Sequence, residues 1–351
     1  MRRFLTAVTA AVVLSASAVW SGTPASAGAQ ASAGAQTSTA PTASAGSQVS
    51  AGSPVFDYQV TRHAAEYKEI PGTRIEFDAR AGETSYLWSR GLRAGNLTPL
   101  VQGENIGNTF AVNCRLADGT ALPAGTETGA YWAANLVPPD ETSYAPSVRW
   151  LFSAPADGRY ACRISVVGYS SIITGGRQVT MRVAAGAELA RAQYPATARW
   201  TLPAASSVVV QPGATATTLG YTFTPAGADR IAVVQDVALS TCVPGSSICG
   251  GGIPGVDGSR VETWVEAQPR NPDGTTCGAP VSSAAQKWHI SNAKHHQTSP
   301  NTLYLTRAGL GGCSEVRLAL KVRNTGGNPV NVHAGHASGG IAATHGVAFT
   351  Y

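Results

Sequence analysis

The chain has 351 residues, of which 43% are hydrophobic and 13% charged, and its formal charge is +5 at neutral pH. Arg2 and Arg3 carry two of those charges inside a predicted leader, so about +3 remains on the mature chain. For a chain of this length that is too weak to imply a nucleic-acid partner. Only four lysines are present among the basic residues, and Ala and Gly abound. This bias is that of a GC-rich bacterial genome and carries no functional signal.

The N-terminus reads as a secretory signal over residues 1–27. Arg2 and Arg3 form a positive start, an apolar stretch runs from Phe4 to about Trp20, and Ala25-Ser26-Ala27 offers a small-x-small cleavage site. Thr and Ser dilute the apolar run, which falls short of the roughly 18 residues a membrane span needs. The arginine pair raises the twin-arginine route, but Phe4 follows it directly and favours the general one. With no later apolar segment and no cysteine near the cleavage site, the expectation is a secreted, extracellular chain without a membrane anchor.

Residues 28–54 follow as a low-complexity arm. The hexad Ala-Ser-Ala-Gly-Ala-Gln occurs at 25–30 and again at 31–36, and no charged residue lies between Arg3 and Asp57. So few large side chains cannot offset the entropy of ordering, which predicts a disordered spacer or a partner-capturing arm.

From about residue 55 the pattern changes to short alternating runs separated by turns. Phe110, Val112, Cys114 and Leu116 share a face, as do Tyr160, Cys162, Ile164 and Val166, and Val148, Trp150 and Phe152. Residues 186–196 lack β-branched side chains, are rich in helix formers and include Pro195. They predict a short helix or connector. Strands resume after it, with Val261, Thr263 and Val265 on one face and Val316, Leu318, Leu320 and Val322 on another. Asp-Gly pairs at 118–119, 157–158, 257–258 and 273–274 mark turns. The fold class expected is all-β, with two β-sandwich or jelly-roll-like domains, residues 55–185 and 197–351.

Six cysteines remain after the leader, and an even count in an exported chain favours disulfides. Their positions along the chain suggest Cys114–Cys162, Cys242–Cys249 and Cys277–Cys313. No C-x-x-C spacing supports a zinc thiolate site. The first pair, pointing inward, is expected to brace two facing strands.

The sequence carries no nucleophile elbow, zinc-protease helix, phosphate loop or EF-hand loop. Ser338, between Ala337 and Gly339, reads as a turn. Six of seven histidines fall in the last third. His295, His296, His333 and His336 are the candidate metal ligands, since imidazole suits zinc and copper. On a strand, however, His333 and His336 would project to opposite faces.

Glu262, Trp264 and Glu266 would share one strand face. Their carboxylates, four residues apart, sit roughly 13 Å from each other by strand rise, too far for the acid pair of a glycosidase. As a solvated face with an indole they form a candidate contact surface, with Trp132 a second aromatic candidate.

Three functions follow from these features. The first is a secreted, non-catalytic binding or adaptor protein, a subunit of an extracellular assembly such as a toxin or surface complex, with protein partners and no cofactor. The second is a carbohydrate-binding or adhesive protein, its partner a cell-wall or surface glycan. The third is a metal-dependent enzyme using the C-terminal histidines.

Overall fold

A computed structural model describes residues 47–60, 67–136, 143–172, 177–193, 198–201, 203, 207–245, 249–334 and 343–351. The leader and residues 28–46 of the arm lie outside them. Alternation of apolar and polar residues yields strands throughout, and the only helical element among the described residues is a short 3-10 turn at Ala308–Leu310.

The first half contains β1 (Gln48–Val49), β2 (Phe56–Gln59), β3 (Lys68–Glu69), β4 (Ile75–Ala79), β5 (Thr84–Arg90), β6 (Ala94–Asn96) and β7 (Asn105–Leu116). It continues with β8 (Thr128–Leu136), β9 (Ser143–Tyr144), β10 (Arg149–Ser153), β11 (Gly158–Ile172), β12 (Thr180–Val183) and β13 (Glu188–Ala192). The second half begins with β14 (Ala198–Thr201), β15 (Ser207–Val210), β16 (Thr215–Phe223), β17 (Arg230–Thr241), β18 (Ser259–Arg270) and β19 (Val281–Ser282). It ends with β20 (Gln286–Ile290), β21 (His296–Thr306), β22 (Glu315–Gly327), β23 (Val330–His333) and β24 (His345–Thr350).

All pairings are antiparallel, and the sheets stack as β-sandwiches. In the first half, β7, β11, β8, β4 and β3 face two four-stranded sheets, β1-β13-β5-β10 and β2-β12-β6-β9. Between them lies a core that includes Phe110, Phe152, Tyr160, Ile164 and Met181. In the second half, the β17, β21, β23 and β24 ladder faces the sheet β16-β22-β18 with β19 and β20 at its edge. Val233, Val237, Val265, Leu318 and Leu320 fill that core and are fully buried. Each such side chain contributes about 1.5–3 kcal/mol of burial.

The two halves belong to one compact unit. Their larger ladders run into one eleven-stranded sheet through a single β21–β8 pair, Gln297 opposite Ala134. A third apolar cluster joins Tyr86, Leu151 and Ala192 of the first half to Ala232, Val234, Val347 and Phe349 of the second. The Tyr86 and Phe349 rings meet there at 4.8 Å.

Three expectations are revised by this arrangement. Residues 188–192 form a strand, β13, between β1 and β5, where a helix or connector was expected. Leu189, Ala190 and Ala192 are fully buried, so tertiary pairing overrides helix propensity. The Arg191 guanidinium lies 4.1 Å from the Phe77 ring centre and Nε donates to Ser85 Oγ at 2.9 Å.

The end of the predicted arm is ordered too. Ser50 N donates to Leu189 O at 3.0 Å and Ser53 N to Ala187 O at 2.8 Å, because β13 offers a free edge that residues 48–53 complete. Thirdly, Cys114 and Cys162 are register partners on the neighbouring strands β7 and β11, 4.1 Å apart at Cα. Their disulfide therefore staples adjacent strands of one sheet and does not cross between facing ones.

All three expected disulfides form: Cys114–Cys162, Cys242–Cys249 and Cys277–Cys313. Such bridges belong to an oxidising compartment and are consistent with an extracellular location. Among the described residues no helix is long and apolar enough to cross a membrane.

Candidate functional site

The sequence-derived candidates separate into three environments. Trp132, on β8, is only 4% exposed and packs against Phe110 and Tyr144, with ring centres 6.2 and 5.0 Å away. Its indole belongs to the first core, which removes it as a contact residue. The phase of β8 decides this: Ala130, Trp132 and Ala134 all point inward.

Glu262, Trp264 and Glu266 do share a face. Along β18 buried residues alternate with partly exposed ones, and these three fall in the outer phase with Arg260 and Gln268. Their inward neighbours Val261, Val265 and Ala267 are held in the second core, which fixes the orientation of the outer set.

Register then brings cations across from the flanking strands. Lys321 and Arg323 of β22 stand opposite Trp264 and Glu262, and Arg317 stands opposite Gln268. On the other side Lys287 of β20 is opposite Glu262. Lys287 Nζ is 3.6 Å from Glu262 Oε1, and Lys321 Nζ is 3.6 Å from Glu266 Oε1. Lys321 Nζ also donates to Thr217 Oγ1 at 2.9 Å. These partly solvated ion pairs contribute at most about 1 kcal/mol each. Their main effect is to hold the long side chains in place around the indole.

Trp264 has a register partner only on the β22 side. Opposite it, β19 ends at Ser282 and β20 begins at Gln286, pairing with Ala267–Glu266 and Thr263–Ser259 respectively. The edge strand is interrupted just where the indole stands. Exposed Arg260, Arg317 and Arg323 complete the surface, and among the described residues none of the three guanidinium groups makes an ion pair. Arg260 lies against Gly326 and Arg317 against Gly220, where a Cβ would crowd the guanidinium at 2.9 and 3.2 Å. The glycines let these planar groups lie down on the sheet.

These cations were legible in the sequence. Val316, Leu318, Leu320 and Val322 define the buried phase of β22, so Arg317, Lys321 and Arg323 are the opposite phase. Reading only the apolar half of the alternation misses them.

The histidine candidates form the third environment. His295, His296 and His333 converge where β21, β17 and β23 meet, with ring centres 4.3 Å (His295–His296) and 5.9 Å (His296–His333) apart. At their centre is Ser240, a residue the sequence did not single out, whose Oγ lies 2.6 Å from both His296 Nδ1 and His333 Nε2. A hydroxyl has one proton, so it donates to one ring and accepts an N–H from the other. Asn331 Nδ2 sits 3.3 Å from His333 Nδ1. His336 lies outside the described residues.

Burial pushes His296 down to about 3, helped by the neighbouring His295 and His333. Burial lowers His333 and His295 as well. All three are therefore neutral at pH 7. Among the described residues no group of three His, Cys, Asp or Glu side chains is placed to hold a metal ion. The cluster is a hydrogen-bonded tie among three strands, next to the β21–β8 junction.

A buried ion pair reinforces the same junction. Arg149 of β10 donates through Nε to Asp236 Oδ2 of β17 at 3.1 Å, and through Nη1 to Thr302 Oγ1 at 2.6 Å. His345 Nε2 is 3.2 Å from the same Asp236 oxygen. Burial pushes the Asp236 carboxyl up, but Arg149 and His345 outweigh it and hold the group below the usual carboxylate range.

No protein-family model matches the sequence, and no curated protein is detectably similar to it. Among solved structures, the VP2 subviral particle of infectious bursal disease virus is 11% identical, covering 86% of this chain and 74% of that one at a TM-score of 0.26. T=1 particles derived from the same virus give 13% identity, coverage of 87% and 73%, and a TM-score of 0.27. A protein of Parabacteroides distasonis is 8% identical, with coverage of 85% and 89% and a TM-score of 0.19. Scores this low carry no argument about function, and the β-sandwich architecture rests on the strands of this chain.

Proposed function

We propose that the chain is an exported, non-catalytic binding protein that serves as a subunit of an extracellular assembly. One observation carries this reading. The outer face of β16-β22-β18 presents a half-buried indole with charged side chains around it, and among the described residues no strand pairs or packs over it. Three disulfides support work outside the cell. The adaptor role, protein companions and a part played by residues 28–46 belong to the same proposal.

A glycan-binding role is the second reading, and it now rests on Trp264 alone, since Trp132 is core. Oxidative footprinting tests the shared element of both. Trp264 is expected to be oxidised readily in the purified chain and protected in the chain's native extracellular setting. Equal reactivity in the two settings would remove this face as the contact surface.

A further inference from the structure

We infer that the outer face of β16-β22-β18 receives an extended acidic polysaccharide, a chain of sugar rings bearing carboxylate, sulfate or phosphate groups. The inference rests on the binding-protein reading above and names the chemistry of the partner.

Shape comes first. The face is an open sheet surface of paired strands, so it suits a polymer lying along it better than a small ligand that must be surrounded. Its long direction is set by β22, where Arg317, Lys321 and Arg323 alternate with core residues. At a strand rise of about 3.4 Å per residue, the two arginines stand roughly 20 Å apart. That spans several rings of an extended polymer.

Charge separates acidic from neutral polymers. Lys287 and Lys321 are matched by Glu262 and Glu266, whereas Arg260, Arg317 and Arg323 make no ion pair among the described residues. Unmatched guanidinium groups present a planar fork suited to carboxylate, sulfate or phosphate. Along the strands they flank the indole, Arg317 on one side and Arg260 and Arg323 on the other.

The centre separates a glycan from a nucleic acid. Trp264 offers an apolar plane on which a sugar ring can rest, and Glu262 and Glu266 beside it accept hydrogen bonds from hydroxyl groups. A phosphodiester backbone carries a charge at every unit and would meet those two carboxylates directly. A polymer with hydroxyl-rich rings and intermittent acid groups meets indole, carboxylates and guanidinium groups each in a favourable place.

The test uses the purified full chain on immobilised hyaluronate and gellan, whose carboxylates are spaced by neutral rings, with neutral dextran and single-stranded DNA beside them. Retention is expected on at least one acidic glycan, falling steeply with salt, and not on neutral dextran. Trp264→Ala and the double variant Arg317→Ala/Arg323→Ala should each weaken it at least tenfold. Arg90→Ala, an exposed arginine of the first half, should leave it unchanged.

Circular dichroism of each variant checks that the fold is retained. Tighter retention on DNA than on either glycan, with the same sensitivity to the variants, would overturn the glycan assignment. No retention on any polymer, with Trp264 still protected in the native setting, would overturn the polymer and leave the contact face standing. Retention indifferent to all the variants would overturn both.

Discussion

Trp132 and Trp264 have the same side chain and opposite fates, decided by which phase of the strand they occupy. The phase of Trp264 was readable, because Val261 and Val265 bracket it with apolar residues. Trp132 is flanked by Tyr131 and Ala133, and that local pattern does not tell inside from outside. Its burial implies a direct consequence: Trp132→Ala should destabilise the chain by about 3–5 kcal/mol in denaturant unfolding, whereas Trp264→Ala should cost much less.

The histidines give a second residue-scale prediction. An unfolded histidine takes up its proton near pH 6.5, whereas folded His296 does so only near 3. Between those values the unfolded state holds more protons, so stability rises with pH across the window and is lost as pH falls from about 6.5. His295 and His333 act in the same direction. Asp236 is shifted down too, so its contribution is present above about pH 3.9, the unfolded value, and lost as pH falls through its lower folded one. Melting temperatures should therefore decline between pH 6.5 and 4.5, and His296→Gln should flatten that slope. An unchanged slope in the variant would contradict the assignment.

Elements were legible wherever alternation was strict. β7, β10, β11, β18 and β22 each sit where their apolar phases indicated, and the disulfide partners follow from position along the chain. β13 was not legible, because Ala-rich segments owe their strand state to pairing partners distant in sequence, here β5 and β1. The edge pairing of residues 48–49 was hidden for the same reason.

At this scale the disulfides differ in leverage. Cys114–Cys162 spans 48 residues and Cys242–Cys249 only 7. Chain-entropy estimates give about 4 kcal/mol for the first and about 2.5 kcal/mol for the second. Replacing each pair by alanine should lower the urea midpoint in that order; the reverse order would show that the bridges act through something other than loop closure.

At the scale of the molecule, the contacts that join the two cores among the described residues include the Tyr86–Phe349 apolar cluster, the Arg149–Asp236 pair and the β21–β8 pairing with its histidine neighbourhood. None of these was visible in the sequence, since the Arg149–Asp236 pair joins residues 87 positions apart and the other two join strands of different halves with no shared local pattern. Together they orient the second sandwich with its inner ladder against the first half, leaving the opposite sheet, β16-β22-β18, facing outward. The candidate binding face is thus a consequence of how the halves are joined, and its composition is a consequence of strand phase.

Native mass tests that account most directly. The chain should be recovered from culture medium by size exclusion, and its co-eluting components identified, alongside the Trp264→Ala variant. The account predicts elution well above the mature monomer with reproducible companions for the natural chain, and monomer elution for the variant. A natural chain that elutes alone as a monomer would contradict the proposed role in an assembly.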